Sequence, residues 1–101
     1  MRENLVRDLE LIPLTVEEEL DKTRIVSLLR SEPRCFFRDL MDPGHITGSA
    51  MLISEDGERI LLNYHAIFNC WMNFGGHADG EEDIESVARR ELIEESGITN
   101  L

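Results

Sequence analysis

The sequence predicts an α/β fold of the α+β kind, in which two helices precede a group of strands and a third helix follows them. Apolar residues recur at helical spacing in the first third of the chain, and short β-favouring runs begin near residue 46. The chain has 101 residues, of which 42% are hydrophobic, enough for one small globular domain. We therefore expect a helical N-terminal extension over residues 1–42 and a second segment over residues 43–101.

The first two helices are predicted from apolar spacing and from helix start and stop signals. Leu5, Leu9 and Ile12 indicate a helix over residues 2–12 that ends at Pro13. Thr15 with Glu18 is typical of a capping box that opens the second helix, which ends before Pro33. Its buried face is expected to contain Val16, Leu20, Ile25, Leu28 and Leu29.

Three strands are predicted in the second segment. Residues 46–54 and 59–65 have strand character, and Glu55-Asp56-Gly57-Glu58 between them indicates a hairpin turn. Residues 71–74 are expected to form a short strand that leads into a glycine loop at Gly75 and Gly76. Trp71 and Phe74 in that strand are expected to pack in the core, with stacking on a nucleotide base as the alternative.

The third helix, which ends at Gly97, carries glutamates where apolar residues belong. On a helical wheel Ile84, Val87, Ala88 and Leu92 form the apolar stripe; Glu91 and Glu95 fall within it and Glu94 at its edge. Carboxylates on a buried face need a partner, and spacings of three and four residues allow them to converge on a hard divalent ion. The alternative is a helix end whose glutamates face water and pair with Arg89 and Arg90.

The wider stretch from residue 76 to residue 98 fits the pattern G-x5-E-x7-R-E-U-x-E-E-x-G-U, where U is aliphatic. The specified positions are filled by Gly76, Glu82, Arg90, Glu91, Leu92, Glu94, Glu95, Gly97 and Ile98. This stretch resembles the Nudix box, the signature of the Nudix hydrolases. Phe74 departs from the family, in which many members carry proline before the two glycines.

The resemblance implies a role for each matching residue. Glu94 and Glu95 match the main ligands of Mg²⁺ (or Mn²⁺), and Glu91 matches a further ligand or the base for the attacking water. The backbone carbonyl of Gly76 often joins the metal shell in relatives. The other implied roles are a phosphate-contacting loop at Gly75, Gly76 and His77, and a structural pair of Glu82 with Arg90. A purely structural role is the alternative for His77, and His45 and His65 are expected to be surface or packing residues.

The resemblance also implies the fold and the reaction. It implies a Nudix-type α/β/α sandwich with a mixed sheet, of which residues 43–101 are the N-terminal half, so we expect a truncated domain or one completed in a homodimer or swapped oligomer. The implied reaction is Mg²⁺-dependent hydrolysis of the diphosphate linkage of a nucleoside diphosphate derivative. The alternatives are a non-catalytic nucleotide-binding or regulatory module and an inactive fragment of the hydrolase.

Charge and cysteine content narrow the expected partners and compartment. The formal net charge of −11 argues against nucleic acid or an anionic membrane as a partner. Cys35 and Cys70 form no CxxC motif, so the sequence suggests neither a zinc site nor a disulfide framework. The charged N-terminus MRENLVRDLE lacks an apolar signal region. We therefore expect a cytoplasmic protein with reduced thiols.

Overall fold

A computed structural model of the protein describes residues 1–100, which form a mixed α+β structure. The helices are α1 (Arg2–Leu11), α2 (Val16–Ser31) and α3 (Ile84–Ser96). The strands are β1 (Thr47–Ala50), β2 (Leu52–Ile53), β3 (Ile60–Leu61), β4 (Asn63–His65), β5 (Cys70–Met72) and β6 (Phe74–His77). The predicted order of two helices, strands and a third helix is confirmed. None of the helices in residues 1–100 is long and apolar enough to cross a membrane.

The first two helices form an antiparallel hairpin whose turn is fixed by the predicted capping box. The Thr15 hydroxyl accepts a hydrogen bond from the Glu18 backbone N–H, and the Glu18 carboxylate accepts one from the Thr15 backbone N–H. Pairing of Lys22 with Glu10 brings the last turn of α1 beside the second turn of α2. The first turn of α2 therefore lies beyond the end of α1.

This offset corrects the predicted buried face of α2. Leu29 is fully buried, and Ile25 and Leu28 pack against the core. Val16 and Leu20, in contrast, are 84% and 61% exposed. The periodicity identified the correct helix, but it did not reveal that the ten-residue α1 is too short to cover the start of the sixteen-residue α2.

Each predicted strand is present and is interrupted by one unpaired residue. β1 pairs with β6, β2 with β3, and β4 with β5, all antiparallel. The interruptions fall at Met51, Leu62 and Asn73, where the chain passes from one partner to the next. The described residues therefore form small antiparallel sheets, and they contain no parallel pair of the kind that the expected mixed sheet requires.

The glycine segment lies in a strand, so the prediction of a loop at Gly75, Gly76 and His77 is wrong. These residues belong to β6, where Gly75 is opposite Ser49, Gly76 is opposite Gly48 and His77 is opposite Thr47. An irregular stretch begins only at Ala78 and continues to the start of α3. Small residues face each other across this ladder, which allows the two strands to pair despite the low strand propensity of glycine.

The third helix packs against β1 and β6 with its apolar stripe facing the strands. The Asp83 side chain caps its first turn by accepting a hydrogen bond from the Ser86 backbone N–H, and Gly97 ends it with φ of 75°, as predicted. Gly48 makes the close approach possible, because a Cβ at this position would lie 2.7 Å from Val87 Cγ1.

One hydrophobic core joins the helical extension to the second segment. Its buried members are Val6, Leu29, Cys35, Phe36, Ala78 and Val87. Arg2 links the same parts at the surface, since its guanidinium donates to the backbone oxygens of Leu29, Glu32 and Pro33 and also pairs with Glu82. Residues 1–42 therefore pack directly on the segment that carries the motif.

Candidate metal and ligand site

The predicted site residues meet around an open cavity of about 680 Å³ beside β1, β6 and the second half of α3. It is lined by Arg38, Thr47, Gly48, Ser49, Asn63, His65, Phe68, Met72, Asn73, Gly75, Gly76, His77, Glu91 and Glu95. Six residues from the predicted site and its flank thus come together in space: both glycines, His77, Glu91, Glu95 and the neighbouring Asn73.

Glu95 is held over β6 by two hydrogen bonds. One carboxylate oxygen accepts from the Gly75 backbone N–H at 3.0 Å, and the other accepts from the Asn63 side-chain amide at 3.3 Å. The carboxylate therefore bridges Gly75, which directly precedes the motif, and Asn63 in strand β4. Because a carboxylate oxygen has more than one lone pair, both atoms retain capacity for a further ligand.

Glu91 lies against the second glycine. A Cβ at position 76 would come within 2.5 Å of the Glu91 carboxyl carbon, so the carboxylate occupies the space that any larger residue in β6 would need. The Glu91 side chain is 18% exposed and pairs with the Arg90 guanidinium at 3.2 Å. The lack of a side chain at Gly76 thus leaves room for the Glu91 carboxylate. Glu91 lies on the face of α3 that packs on the strands, as the helical wheel predicts.

Glu94 does not join the other two. It is exposed on α3 and does not line the cavity. In residues 1–100, no group of three or more His, Cys, Asp or Glu side chains is arranged to hold a metal ion. Two of the three predicted carboxylates therefore face one cavity, and the donor set there is made of hard oxygen atoms, the kind that Mg²⁺ prefers.

The predicted pair of Glu82 with Arg90 does not form. Glu82 binds Arg2 at 3.1 Å, whereas Arg90 donates to the His77 backbone oxygen at 2.9 Å and to Glu91. Each residue still joins the loop before α3 to another element, but through different partners. The sequence did not reveal this because Arg2 comes from the opposite end of the chain, 80 positions away.

The three histidines have distinct surroundings. His77 lines the cavity, and its Nδ1 lies 3.3 Å from Nε2 of the half-buried His45. His45 Nδ1 in turn lies 3.0 Å from the Leu40 backbone oxygen. His65 also lines the cavity, where its ring lies 4.5 Å from the ring of Phe68. His45 is thus a packing residue, as expected, although it is also bonded to a residue of the site.

Arg38 brings positive charge to the cavity. Its guanidinium binds the Asp79 carboxylate through two hydrogen bonds of 3.0 and 2.9 Å. These bonds hold the pKa of Asp79 below its ordinary value and raise the pKa of Arg38. Because Arg38 is exposed and fully charged, it provides a cationic group for an anionic ligand in a cavity that also contains two carboxylates.

Sequence reasoning missed Asn63 and Arg38 as site residues. Asn63 lies in β4, 32 positions before its partner Glu95, and Arg38 lies in the irregular segment after α2. A signal for Asn63 was a polar side chain between the apolar Leu62 and Tyr64 in a strand close to the motif. No comparable signal marked Arg38, which reaches the cavity only because its segment packs on the shared core.

The two aromatic residues of the third predicted strand differ in burial. Phe74 is 2% exposed and packs in the interior, as predicted. Trp71 is 66% exposed and packs edge-on against Tyr64 across the β4–β5 pair, so its predicted burial is wrong. It does not line the cavity and is therefore not placed to stack on a ligand there.

Comparisons of the chain with protein-family models and with curated proteins found no match.

Proposed function

We propose that this protein is a Mg²⁺-dependent hydrolase of the Nudix type, which cleaves the diphosphate linkage of a nucleoside diphosphate derivative. The observation that carries the proposal is the placement of Glu91, Glu95, Gly75 and Gly76 around one cavity. These four residues belong to or adjoin the motif that resembles the Nudix box. A chance resemblance would not require its carboxylates and its glycines to lie together in space.

Glu91 and Glu95 are the residues that would hold the metal, with the Gly76 backbone oxygen as a further donor. Their oxygen atoms suit Mg²⁺, and their spacing of four residues directs both to the same side of α3. A bound Mg²⁺ would neutralise charge on the phosphate oxygens and act as a Lewis acid. Asn63 and the Gly75 N–H orient Glu95, since each donates to one of its oxygens.

The remaining residues of the cavity favour an anionic ligand that brings its own cation. The chain carries a net charge of −11, and two carboxylates line the cavity, so a free diphosphate would be repelled. Arg38 offsets part of this repulsion. The absence of a side chain at Gly76 leaves the space that the Glu91 carboxylate occupies beside β6, so this glycine supports the candidate ligand Glu91.

A second candidate is a nucleotide-binding module without catalysis. It is favoured by the satisfied state of the carboxylates: Glu95 is hydrogen-bonded through both oxygens, and Glu91 is paired with Arg90. Glu94, a principal ligand in the implied family pattern, lies outside the cavity. In such a module the same cavity would bind the ligand, and Arg38 would contribute directly to its affinity.

The test is phosphate release from a panel of nucleoside diphosphate derivatives, measured with and without Mg²⁺. The variant is Glu95→Gln, which keeps the shape of the side chain and removes its charge. The matched control is Glu85→Gln on the same helix, where the glutamate is exposed and pairs with Arg89 away from the cavity. We expect Mg²⁺-dependent turnover that Glu95→Gln lowers by about a hundredfold or more and Glu85→Gln leaves unchanged.

Two other outcomes would contradict the proposed metal ligand or the proposed hydrolase. Turnover that survives Glu95→Gln would contradict the metal-ligand role of Glu95. Nucleotide binding without turnover, at every Mg²⁺ concentration, would establish the binding module instead of the hydrolase.

A further inference from the structure

His45 and His77 form a hydrogen-bonded chain that leads from the core to the cavity. It begins at the Leu40 backbone oxygen, 3.0 Å from His45 Nδ1, and continues from His45 Nε2 to His77 Nδ1 over 3.3 Å. The two rings lie 5.3 Å apart and are tilted by 32°. His77, at the end of the chain, lines the cavity together with Glu91 and Glu95.

The chemistry of the groups fixes the direction of the chain. A carbonyl oxygen only accepts hydrogen bonds, so the nitrogen of His45 beside Leu40 must carry the proton. In neutral His45 the other nitrogen, Nε2, is then an acceptor. Since one member of each hydrogen bond must donate, His77 Nδ1 carries its proton and donates to His45.

We infer that His45 is a positioning residue that holds His77 in the Nδ1–H tautomer, so that His77 Nε2 accepts a hydrogen bond from a hydroxyl group bound in the cavity. Free imidazole side chains in water favour the opposite tautomer, with the proton on Nε2. A histidine in that form would present a donor, which suits a phosphate oxygen. The fixed tautomer presents an acceptor and therefore selects an O–H group, such as a sugar hydroxyl of the ligand.

The backbone supports the same arrangement. His77 is held opposite Thr47 in the β1–β6 pair, and its backbone oxygen accepts a hydrogen bond from Arg90. The backbone N–H of Ile46, next to His45, donates to the Cys35 oxygen in the core. The backbone is thus hydrogen-bonded at His77 and directly beside His45, and the ring contacts of the two histidines add to this support. The identity of the ligand as a sugar-bearing diphosphate rests on the proposed function; the tautomer does not.

The tautomer is tested by nuclear magnetic resonance of the whole chain with ¹⁵N-labelled histidine. Long-range ¹H–¹⁵N correlation spectra at about pH 9, where free imidazole is neutral, distinguish the two tautomers of each ring. We expect Nδ1–H for His45 and His77. His65 is an internal reference with the opposite form, because its Nδ1 accepts from the Phe68 backbone N–H and its proton must lie on Nε2.

Two variants at position 45 separate positioning from a general structural role. His45→Leu removes the acceptor, and His77 should change to the Nε2–H form. His45→Gln restores an acceptor oxygen, and His77 should keep Nδ1–H. An Nε2–H signal for His77 in the unmodified protein would overturn the inference by itself, whether or not either variant folds.

The hydroxyl contact is tested by comparing two probes in the presence of Mg²⁺. ADP-ribose carries sugar hydroxyls, whereas inorganic pyrophosphate carries none. We expect His77→Phe to weaken ADP-ribose binding by about tenfold, the loss of one hydrogen bond, and to leave pyrophosphate binding unchanged. Unchanged binding of ADP-ribose, or equal loss for both probes, would overturn the contact, as would failure of the unmodified protein to bind ADP-ribose.

Failure of the proposed function has a different signature. Absence of Mg²⁺-dependent phosphate release contradicts the hydrolase, while the spectra of the free protein decide the tautomer independently.

Discussion

Two halves of the molecule differ in the burial of their apolar side chains. In the core that α1 and α2 share with α3, and where α3 packs on β1 and β6, the apolar side chains are buried, among them Phe36, Val87 and Leu29. Where β2 to β5 extend from this core, apolar side chains are exposed instead: Ile53, Ile60, Leu61, Tyr64, Ile67, Phe68 and Trp71. The buried half holds the glycines and carboxylates of the candidate site against α3, and the exposed half supplies Asn63, His65 and Phe68 at its edge.

This difference in burial indicates which half of the protein contributes most of the stability. Burial of apolar area is the dominant favourable contribution to folding, and it is concentrated in the buried half. The strands of the exposed half are held mainly by backbone pairing and by cross-strand contacts such as that of Tyr64 with Trp71. The site therefore lies between a half whose apolar side chains are buried and a half whose apolar side chains are exposed.

The largest expected effect compares one phenylalanine from each half. Phe36→Ala removes a side chain that is 1% exposed, so the free energy of unfolding should fall by about 3–5 kcal/mol. Phe68→Ala removes an exposed side chain and should change it by no more than about 0.5 kcal/mol. Urea unfolding followed by circular dichroism measures both. Equal losses for the two variants would contradict the division of the molecule into a buried and an exposed half.

A smaller effect compares two glycines that face each other across the β1–β6 pair. Gly48→Ala brings a methyl group against the buried Val87 and against α3 backbone, which should cost about 1–3 kcal/mol of stability. For Gly76→Ala the three atoms nearest the new methyl group all belong to the Glu91 carboxyl group, which lies at the end of a flexible side chain and can move away. We expect Gly76→Ala to cost less stability than Gly48→Ala, but to displace Glu91 and lower Mg²⁺-dependent turnover.

Thermal unfolding and phosphate release measure the two responses on the same preparations. If Gly76→Ala destabilised the protein as much as Gly48→Ala, the Glu91 carboxylate would be locked in place rather than displaceable.

The smallest effect compares the two cysteines. Cys35 is buried in the core and Cys70 is exposed in β5, so a thiol reagent should label Cys70 rapidly and Cys35 only on unfolding. Burial raises the pKa of the Cys35 thiol above its ordinary value of 9.0. The unfolded chain then loses this proton at lower pH than the folded chain, so stability is retained below pH 9.0 and falls as the pH rises through the folded pKa.

The variants Cys35→Ala and Cys70→Ala isolate each contribution. Cys35→Ala should reduce the loss of stability above pH 9, and Cys70→Ala should abolish rapid labelling while leaving that loss unchanged. Rapid labelling at two thiols in the folded protein would contradict burial of Cys35.

Local signals predicted the elements of the fold well. The capping box at Thr15 and Glu18 and the left-handed glycine at Gly97 act within a few residues, so their physical causes are contained in the sequence itself. The wheel of α3 correctly predicted that Glu91 faces the strands. The same local reasoning failed at Val16, because exposure depends on the length of a neighbouring helix rather than on the spacing within its own.

Partners distant in sequence were the part that local reasoning could not supply. Residues 75–77 of β6 were predicted as a loop, and pairing of this segment with β1 overrides the low strand propensity of its glycines. Glu82 binds Arg2 rather than Arg90, and this contact also joins residues that are distant in sequence. It forms because the helical extension packs on the second segment through the shared core. The motif residues Glu91 and Glu95 were therefore predicted to share a site and do line one cavity, whereas Glu94 does not. Asn63 and Arg38, which come from other elements, were not predicted.

Arg2 has a consequence for how this sequence can change over evolutionary time. Its guanidinium donates hydrogen bonds to three backbone oxygens at and just after the carboxyl end of α2, and it also binds Glu82 in the loop before α3. A replacement at position 2 therefore leaves acceptors in two separate segments without a donor, and a replacement at position 82 leaves a cation with one partner fewer. We expect positions 2 and 82, which are 80 positions apart, to diversify together in descendants of this protein rather than one at a time.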